Sequence, residues 1–265
     1  MAPVTLTAQP QRERRRSRSG VPRRAVFYPC CNGSTSQHSS GGRDGHDMVG
    51  KAELARALAA LLGVEFAGDY EPGTAAGGGQ YFVPSSTLGL AEARRLGIRG
   101  PLDLFGGVVP RPFVATKVIT HPLARPDAAA PPGWSAAFAQ DVQHAVLPGY
   151  SVFSPADALE AGQRLLAEGP VRVKRADGVG GLGQWVVTDA QELAEGIAAI
   201  EVDELVRHGL VLERNLASLE TYSVGQAQVG WMVASYHGTQ RLTRNHRGDE
   251  VYGGSDLMVV RGGFD

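Results

Sequence analysis

Short alternating apolar runs and longer stretches with helical spacing succeed one another along this chain, and the succession predicts a mixed α/β protein. The runs Ala25-Val26-Phe27-Tyr28, Val64-Glu65-Phe66-Ala67 and Tyr81-Phe82-Val83-Pro84 read as strands. Residues 51–62 predict a helix with Leu54, Leu58, Leu61 and Leu62 as its apolar face, and residues 90–96 predict another. Alternation of this kind makes a small α/β domain over 25–116. Residues 122–133, rich in alanine and proline, read as a linker. A helix over 155–168 follows, with Ser154 as N-cap and Pro155 in its first turn. Strand, glycine-rich loop and strand occupy 171–188. Asp189 then caps a helix, with Glu192 as its capping-box partner and Leu193, Ile197 and Ile200 at helical spacing. Residues 117–209 thus form one subdomain. Residues 210–216, 221–229 and 231–236 predict strands of one antiparallel sheet, a further subdomain over 210–265.

The strand Val171-Arg172-Val173-Lys174 presents one lysine and opens into Gly178-Val179-Gly180-Gly181-Leu182-Gly183-Gln184. Bare backbone N–H groups in such a loop form a nest for phosphate, and a nearby ammonium is a natural partner for it. A P-loop would need Gly-Lys followed by Ser or Thr, but Gln184 and Trp185 follow Gly183. Gly178, Gly180 and Gly183 meet the dinucleotide fingerprint literally, yet that motif requires a helix directly after the glycines. Here a second strand, Gln184-Trp185-Val186-Val187-Thr188, intervenes. The loop therefore joins two strands: either a flap over phosphates or an ordinary glycine-rich hairpin.

These residues, with Val211-Leu212-Glu213-Arg214-Asn215-Leu216 and Glu220-Thr221-Tyr222-Ser223-Val224 after them, resemble the ATP-grasp superfamily. More narrowly, Tyr81-Phe82-Val83-Pro84, Gly106-Gly107-Val108-Val109-Pro110, Gly238-Thr239-Gln240-Arg241 and Tyr252-Gly253-Gly254-Ser255-Asp256-Leu257 are similar to the bacterial family known as domain of unknown function 3182. The resemblance runs from about residue 80 onward. It implies two α+β lobes clamping ATP: a small α/β domain, then a lid subdomain, then a partial antiparallel core sheet. It further implies that Lys117 and Lys174 hold phosphates and that Gly178, Gly180, Gly181 and Gly183, with Gln184 behind them, cover those phosphates. The hinge through Glu213 and Asn215 would read adenine, and Glu220 would face the ribose or a metal-bound water. The implied chemistry is Mg²⁺-ATP phosphorylating a substrate carboxylate, with an amine or thiol then displacing phosphate. A non-catalytic nucleotide-binding module is the alternative.

Composition narrows the class. At 43% hydrophobic and 20% charged residues the chain has ample material for a core, and no run of about 18 apolar residues offers a membrane span. Two adjacent cysteines, Cys30 and Cys31, close a disulfide only with strain, so a reducing cytoplasm is expected. Net charge is −1, but residues 1–24 hold seven arginines against Glu13 alone. That start reads as a disordered basic arm: a solvated tail, or an arm for nucleic acid, with no base-reading element beside it. His38, Asp44, His46 and Asp47 match no metal spacing with a mechanism.

After the last of the three strands lies the dense polar stretch 241–250. Arg241, Arg244 and Arg247 could bind the γ-phosphate and a carboxylate substrate, or the stretch is a charged surface loop; His246 is a candidate base. Asp249, Glu250 and Asp256 are the late carboxylates ahead of Asp265, and none has the pairing a Mg²⁺ site uses. The chain stops soon after the apolar run 257–260, which is expected to be a buried strand, and on that ground a longer reading frame is expected.

Overall fold

The computed structural model describes residues 22, 24–30, 43–73, 79–178, 182–244, 248 and 250–264. Of the basic arm over 1–24, all but Pro22 and Arg24 lies outside them, as do Cys31 and His38. The chain divides into two units, one comprising Met1–Ser85 with Gly100–Phe105 and the other Ser86–Arg99 with Gly106–Asp265.

The first unit is a parallel sheet in which β1 (Arg24–Tyr28) lies between β2 (Glu65–Asp69) and β3 (Gln80–Pro84). Parallel neighbours need a crossover, and α1 (Arg43–Leu62) supplies it. Its buried stripe runs through Ala55, Leu58, Ala59 and Leu62, spacings of three and four that make one helical face. Leu54 and Leu61, expected on that face, flank it and stay 43% and 57% exposed.

The second unit opens with β4 (Leu88–Gly89), α2 (Leu90–Arg95) and β5 (Val108–Val109), with β4 and β5 paired in parallel. Two 3-10 turns follow, Pro112–Ala115 and Lys117–Thr120. The span 122–133 is pinned rather than free: Leu123 bridges to Ser151, Ala124 is buried, and the Ala129 N–H donates to Asp157 Oδ2 at 3.1 Å. Arg125 binds both Asp157 and Glu160. Proline and alanine there give an irregular path, but Asp157 and Glu160, on the helix over Pro155–Leu166, hold it.

After α3 (Ala137–Val142) come β6 (Gly149–Val152), α4 (Pro155–Leu166), β7 (Val171–Arg175), β8 (Gln184–Val187), α5 (Ala190–Ala198), α6 (Val202–His208) and β9 (Leu210–Arg214). The strands form one antiparallel sheet in the order β6-β9-β7-β8. Both expected caps are present. Ser154 Oγ accepts from the Asp157 N–H at 3.1 Å, and Asp189 Oδ1 accepts from the Gln191 and Glu192 N–H groups at 2.9 Å each. Glu192 reaches back to the Thr188 N–H at 2.7 Å, one residue earlier than the capping box predicts. Val171, Val173, Leu210 and Leu212 share a core with Ala158, Ala161, Leu193 and Ile197 of α4 and α5. Each fully buried leucine of this kind contributes about 1.5–3 kcal/mol.

β10 (Thr221–Val229), β11 (Met232–Arg244) and β12 (Glu250–Arg261) make a second antiparallel sheet with β11 in the centre. The polar stretch that begins at Arg241 is therefore strand as far as Arg244, and the glycine-rich 252–256 segment is strand too, with its register shifting opposite Arg241 and Leu242. Pairing with β12 outweighs the weak strand preference of these polar residues. The apolar run expected to be buried is not: Leu257, Met258, Val259 and Val260 are 46–62% exposed, and since successive strand residues face opposite ways, no described residues cover either face of β12 there.

Candidate functional site

Strand alternation decides which side chains of the four-stranded sheet meet the cavity beside it. Val171 and Val173 point into the helix-covered core, so Arg172 and Lys174 point the other way. β9 pairs Glu213 with Arg172 and Val211 with Lys174, which brings the Glu213 carboxylate to the same face. Lys174 Nζ lies 2.5 Å from Glu213 Oε1. Glu213 is only 7% exposed, so this ammonium neutralises a charge that would otherwise be costly to bury.

A cavity of about 880 Å³ opens here, within the second unit. Arg172, Lys174, Gln184, Glu213 and Arg214 line one wall, and Thr221, Tyr222, Gln240, Leu242 and Tyr252 of the three-stranded sheet line another. Leu147, Leu216, Leu219 and Glu220 complete it. The volume lies within the range of small-molecule sites, and the lining mixes apolar walls with a few polar groups.

Of the residues expected at a nucleotide site, Lys174, Gln184, Glu213 and Glu220 come together at this cavity. Asn215 stands behind it, accepting from Arg172 Nε at 3.1 Å and Nη2 at 2.8 Å. Glu220 accepts from the Tyr222 hydroxyl at 2.5 Å, which raises the phenol above its usual range. Gly178 and Gly183 form the neck of the β7–β8 hairpin, where the Arg175 N–H donates to Gly183 O at 2.8 Å and the Gly178 N–H to Arg175 O at 3.3 Å. A Cβ on Gly178 would stand 2.5 Å from the Leu182 carbonyl, so this neck admits only glycine. Gly180 and Gly181 lie outside the described residues, as do His246, Arg247 and Asp249.

Lys117 is placed differently from the expectation. Its ammonium donates to Arg175 O at 2.8 Å, Ala176 O at 3.0 Å and Gly178 O at 2.8 Å. An ammonium has three donors, and all three are used on the neck of the hairpin. Burial holds its pKa below the ordinary lysine value, Asp177 opposes that shift, and Lys174 adds to it. Lys117 thus shares an electrostatic neighbourhood with Lys174 without lining the cavity. Arg241 turns to the face opposite Gln240 and Leu242 and pairs there with Asp256 at 3.3 Å. Arg244 ends β11 as an exposed side chain.

His121 belongs to none of the motifs read from the sequence. It is buried, its Nε2 lies 3.1 Å from Leu147 O and 3.9 Å from Glu213 Oε2, and Nδ1 lies 2.9 Å from Thr120 Oγ1. Burial lowers its pKa from the ordinary 6.5, Glu213 and the Leu147 carbonyl oppose that, and Lys174 reinforces it. A histidine held neutral in the fold takes up its proton more readily when unfolded. The unfolded state therefore binds more protons below about pH 6.5, and stability falls as pH drops through that value. An NMR titration of the His121 ring should give a midpoint below 6.5; a midpoint above it would reverse the sign.

Arg172 could have been found: it alternates with Lys174 on a strand whose other face is two valines. Arg214, Leu147, Leu242 and Tyr252 carry no comparable signal, because they reach the cavity from separate elements.

Among the described residues no group of three or more His, Cys, Asp or Glu side chains is placed to hold a metal ion. No helix among them is long and apolar enough to cross a membrane.

Residues 35–265 match the family described as "Protein of unknown function (DUF3182)". The chain belongs to the DUF3182 family. That match takes in both sheets of the cavity and every described residue that lines it. No curated protein matches this DUF3182 chain. Among solved structures it is similar to D-alanyl-alanine synthetase A from Vibrio cholerae O1 biovar eltor str. N16961, with 11% identity and a TM-score of 0.49. That similarity covers 85% of this chain and 69% of the other.

Proposed function

We propose that this protein binds ATP in the cavity between its two antiparallel sheets, as an ATP-grasp-like nucleotide-binding protein. The observation that carries the reading is the Lys174–Glu213 pair on the cavity face, at the base of a glycine hairpin that joins two strands. An ammonium there can exchange a carboxylate for a phosphate without moving far, and charge-assisted contacts of this type are the strong ones. Glu220, on the same cavity, supplies a carboxylate acceptor for ribose hydroxyls.

The reaction we assign to it is carboxylate ligation. A substrate carboxylate oxygen attacks the γ-phosphorus, ADP leaves, and an amine or thiol then attacks the acyl carbon and expels inorganic phosphate while losing its proton. Lys174 would stabilise charge on the phosphates, and among the described residues Arg244 is the arginine candidate left for the transferring group. Small-molecule substrates in a reducing cytoplasm fit this assignment, with no role for nucleic acid.

A second reading is a nucleotide-binding module without turnover, in keeping with described residues that include no group placed to hold a metal ion. Calorimetric titration of ATP, with and without Mg²⁺, should show saturable binding at one site per chain; a flat titration removes both readings. Release of ADP on incubation with candidate carboxylates and amines separates the ligase from the module.

A further inference from the structure

Among the described residues three cations line the cavity, and their partners differ. Lys174 pairs with Glu213, and Arg214 Nη2 lies 2.6 Å from Glu168 Oε2. Arg172 instead has a neutral partner, the Asn215 amide oxygen, which accepts from Nε and Nη2. One edge of the guanidinium is thereby fixed by two hydrogen bonds. Three of its five N–H groups and its flat faces are left to other contacts.

Position narrows what those contacts are. Arg172 and Lys174 are two residues apart on the same strand face, about 6–7 Å along β7. With phosphates at Lys174, the part of a nucleotide that reaches Arg172 is the nucleoside. The same cavity carries Leu147, Leu216, Leu219 and Leu242, walls suited to a ring rather than to a hydrated anion. A planar, delocalised and weakly hydrated cation stacks well on aromatic faces, which an ammonium cannot do by shape.

We propose that Arg172, held in plane by Asn215, is a specificity-determining residue that stacks on the purine ring of the bound nucleotide. This rests on the nucleotide reading above and adds to it the residue that distinguishes a nucleotide from a bare polyphosphate. The test is calorimetric titration of ATP and of inorganic tripolyphosphate into wild type, Arg172→Lys and Asn215→Leu. Arg172→Lys keeps the charge and loses the plane. It should bind ATP about tenfold more weakly, as expected for a desolvated cation–π contact, while tripolyphosphate binding is unchanged. Asn215→Leu should weaken ATP in the same direction by less, again sparing tripolyphosphate. If both ligands weaken equally in Arg172→Lys, the guanidinium holds phosphate and the proposal is overturned. If neither weakens in either variant, Arg172 does not touch the ligand and the proposal is overturned, with the nucleotide site intact. Wild type that binds tripolyphosphate but not ATP, or neither, removes the nucleotide reading and this one with it.

Discussion

Replacing Lys174 by methionine should weaken ATP binding at least tenfold and destabilise the fold at the same time. The first effect follows from losing a charged donor, worth about 1.5–3 kcal/mol in a charge-assisted contact, and each 1.4 kcal/mol is about tenfold in affinity. The second follows from the partner left behind. Glu213 lies 2.5 Å from the ammonium and is almost buried, so its carboxylate would remain in the cavity wall without its paired cation. Breaking a fully buried pair costs about 3–5 kcal/mol. Lys174 keeps 26% of its side chain exposed, so water from the cavity offsets part of that, and about 1–3 kcal/mol is expected. The two effects separate in the double variant Lys174→Met with Glu213→Gln. Urea denaturation should show most of the stability restored, whereas calorimetry should show binding still lost. A single variant that binds ATP like wild type would make Lys174 a structural partner of Glu213 and nothing more.

The largest effect on stability should come from Gly238→Ala. Gly238 occupies the middle of the central strand β11, opposite Leu257 of β12. A Cβ built there would stand 1.9 Å from the Asp256 carbonyl oxygen and 2.9 Å from its carbon and from the Leu257 Cα. All three are backbone atoms, so no rotamer change relieves the overlap and the strands must separate. Overpacking in a core costs about 1–3 kcal/mol when side chains can yield, and a backbone clash should exceed that. Lost hydrogen-exchange protection over 250–261, with protection of β7 and β9 retained, is the expected signature. Gly107→Ala is the matched control. Its Cβ would meet only Thr87 Cγ2, at 3.8 Å, and it should unfold like wild type. Equal stability of the two variants would mean that β11 and β12 are not paired in this register.

Much of this architecture could be read from local patterns. The glycine loop was placed between two strands because Gln184 to Val187 are bulky and β-branched, and β7 and β8 do pair antiparallel with Lys174 opposite Gln184. Ser154 and Asp189 were legible as caps because capping needs only one side chain and the N–H groups two or three residues later. The misses have a common cause in distance along the chain. β6 carries few bulky residues and becomes a strand only because β9 accepts it as a neighbour. The polar residues at the end of β11 become a strand because β12 pairs with them. Leu54 and Leu61 satisfy a helical spacing, but Ala55 and Leu62, each one position on, take the buried stripe. In the cavity, the strand lysine and the two glutamates stood out because charged groups next to apolar strands are conspicuous. The role of Lys117 was not readable, since backbone carbonyls leave no trace in a sequence.

That lysine joins segments 58 residues apart through a single nitrogen. Its three hydrogen bonds tie off a long excursion of the chain much as a covalent bridge would, in a protein whose two cysteines, being adjacent, could close no such loop. The knot is chemical rather than permanent: it holds for as long as the amine keeps its donors, and removing them takes from the Arg175, Ala176 and Gly178 carbonyls the ammonium they share.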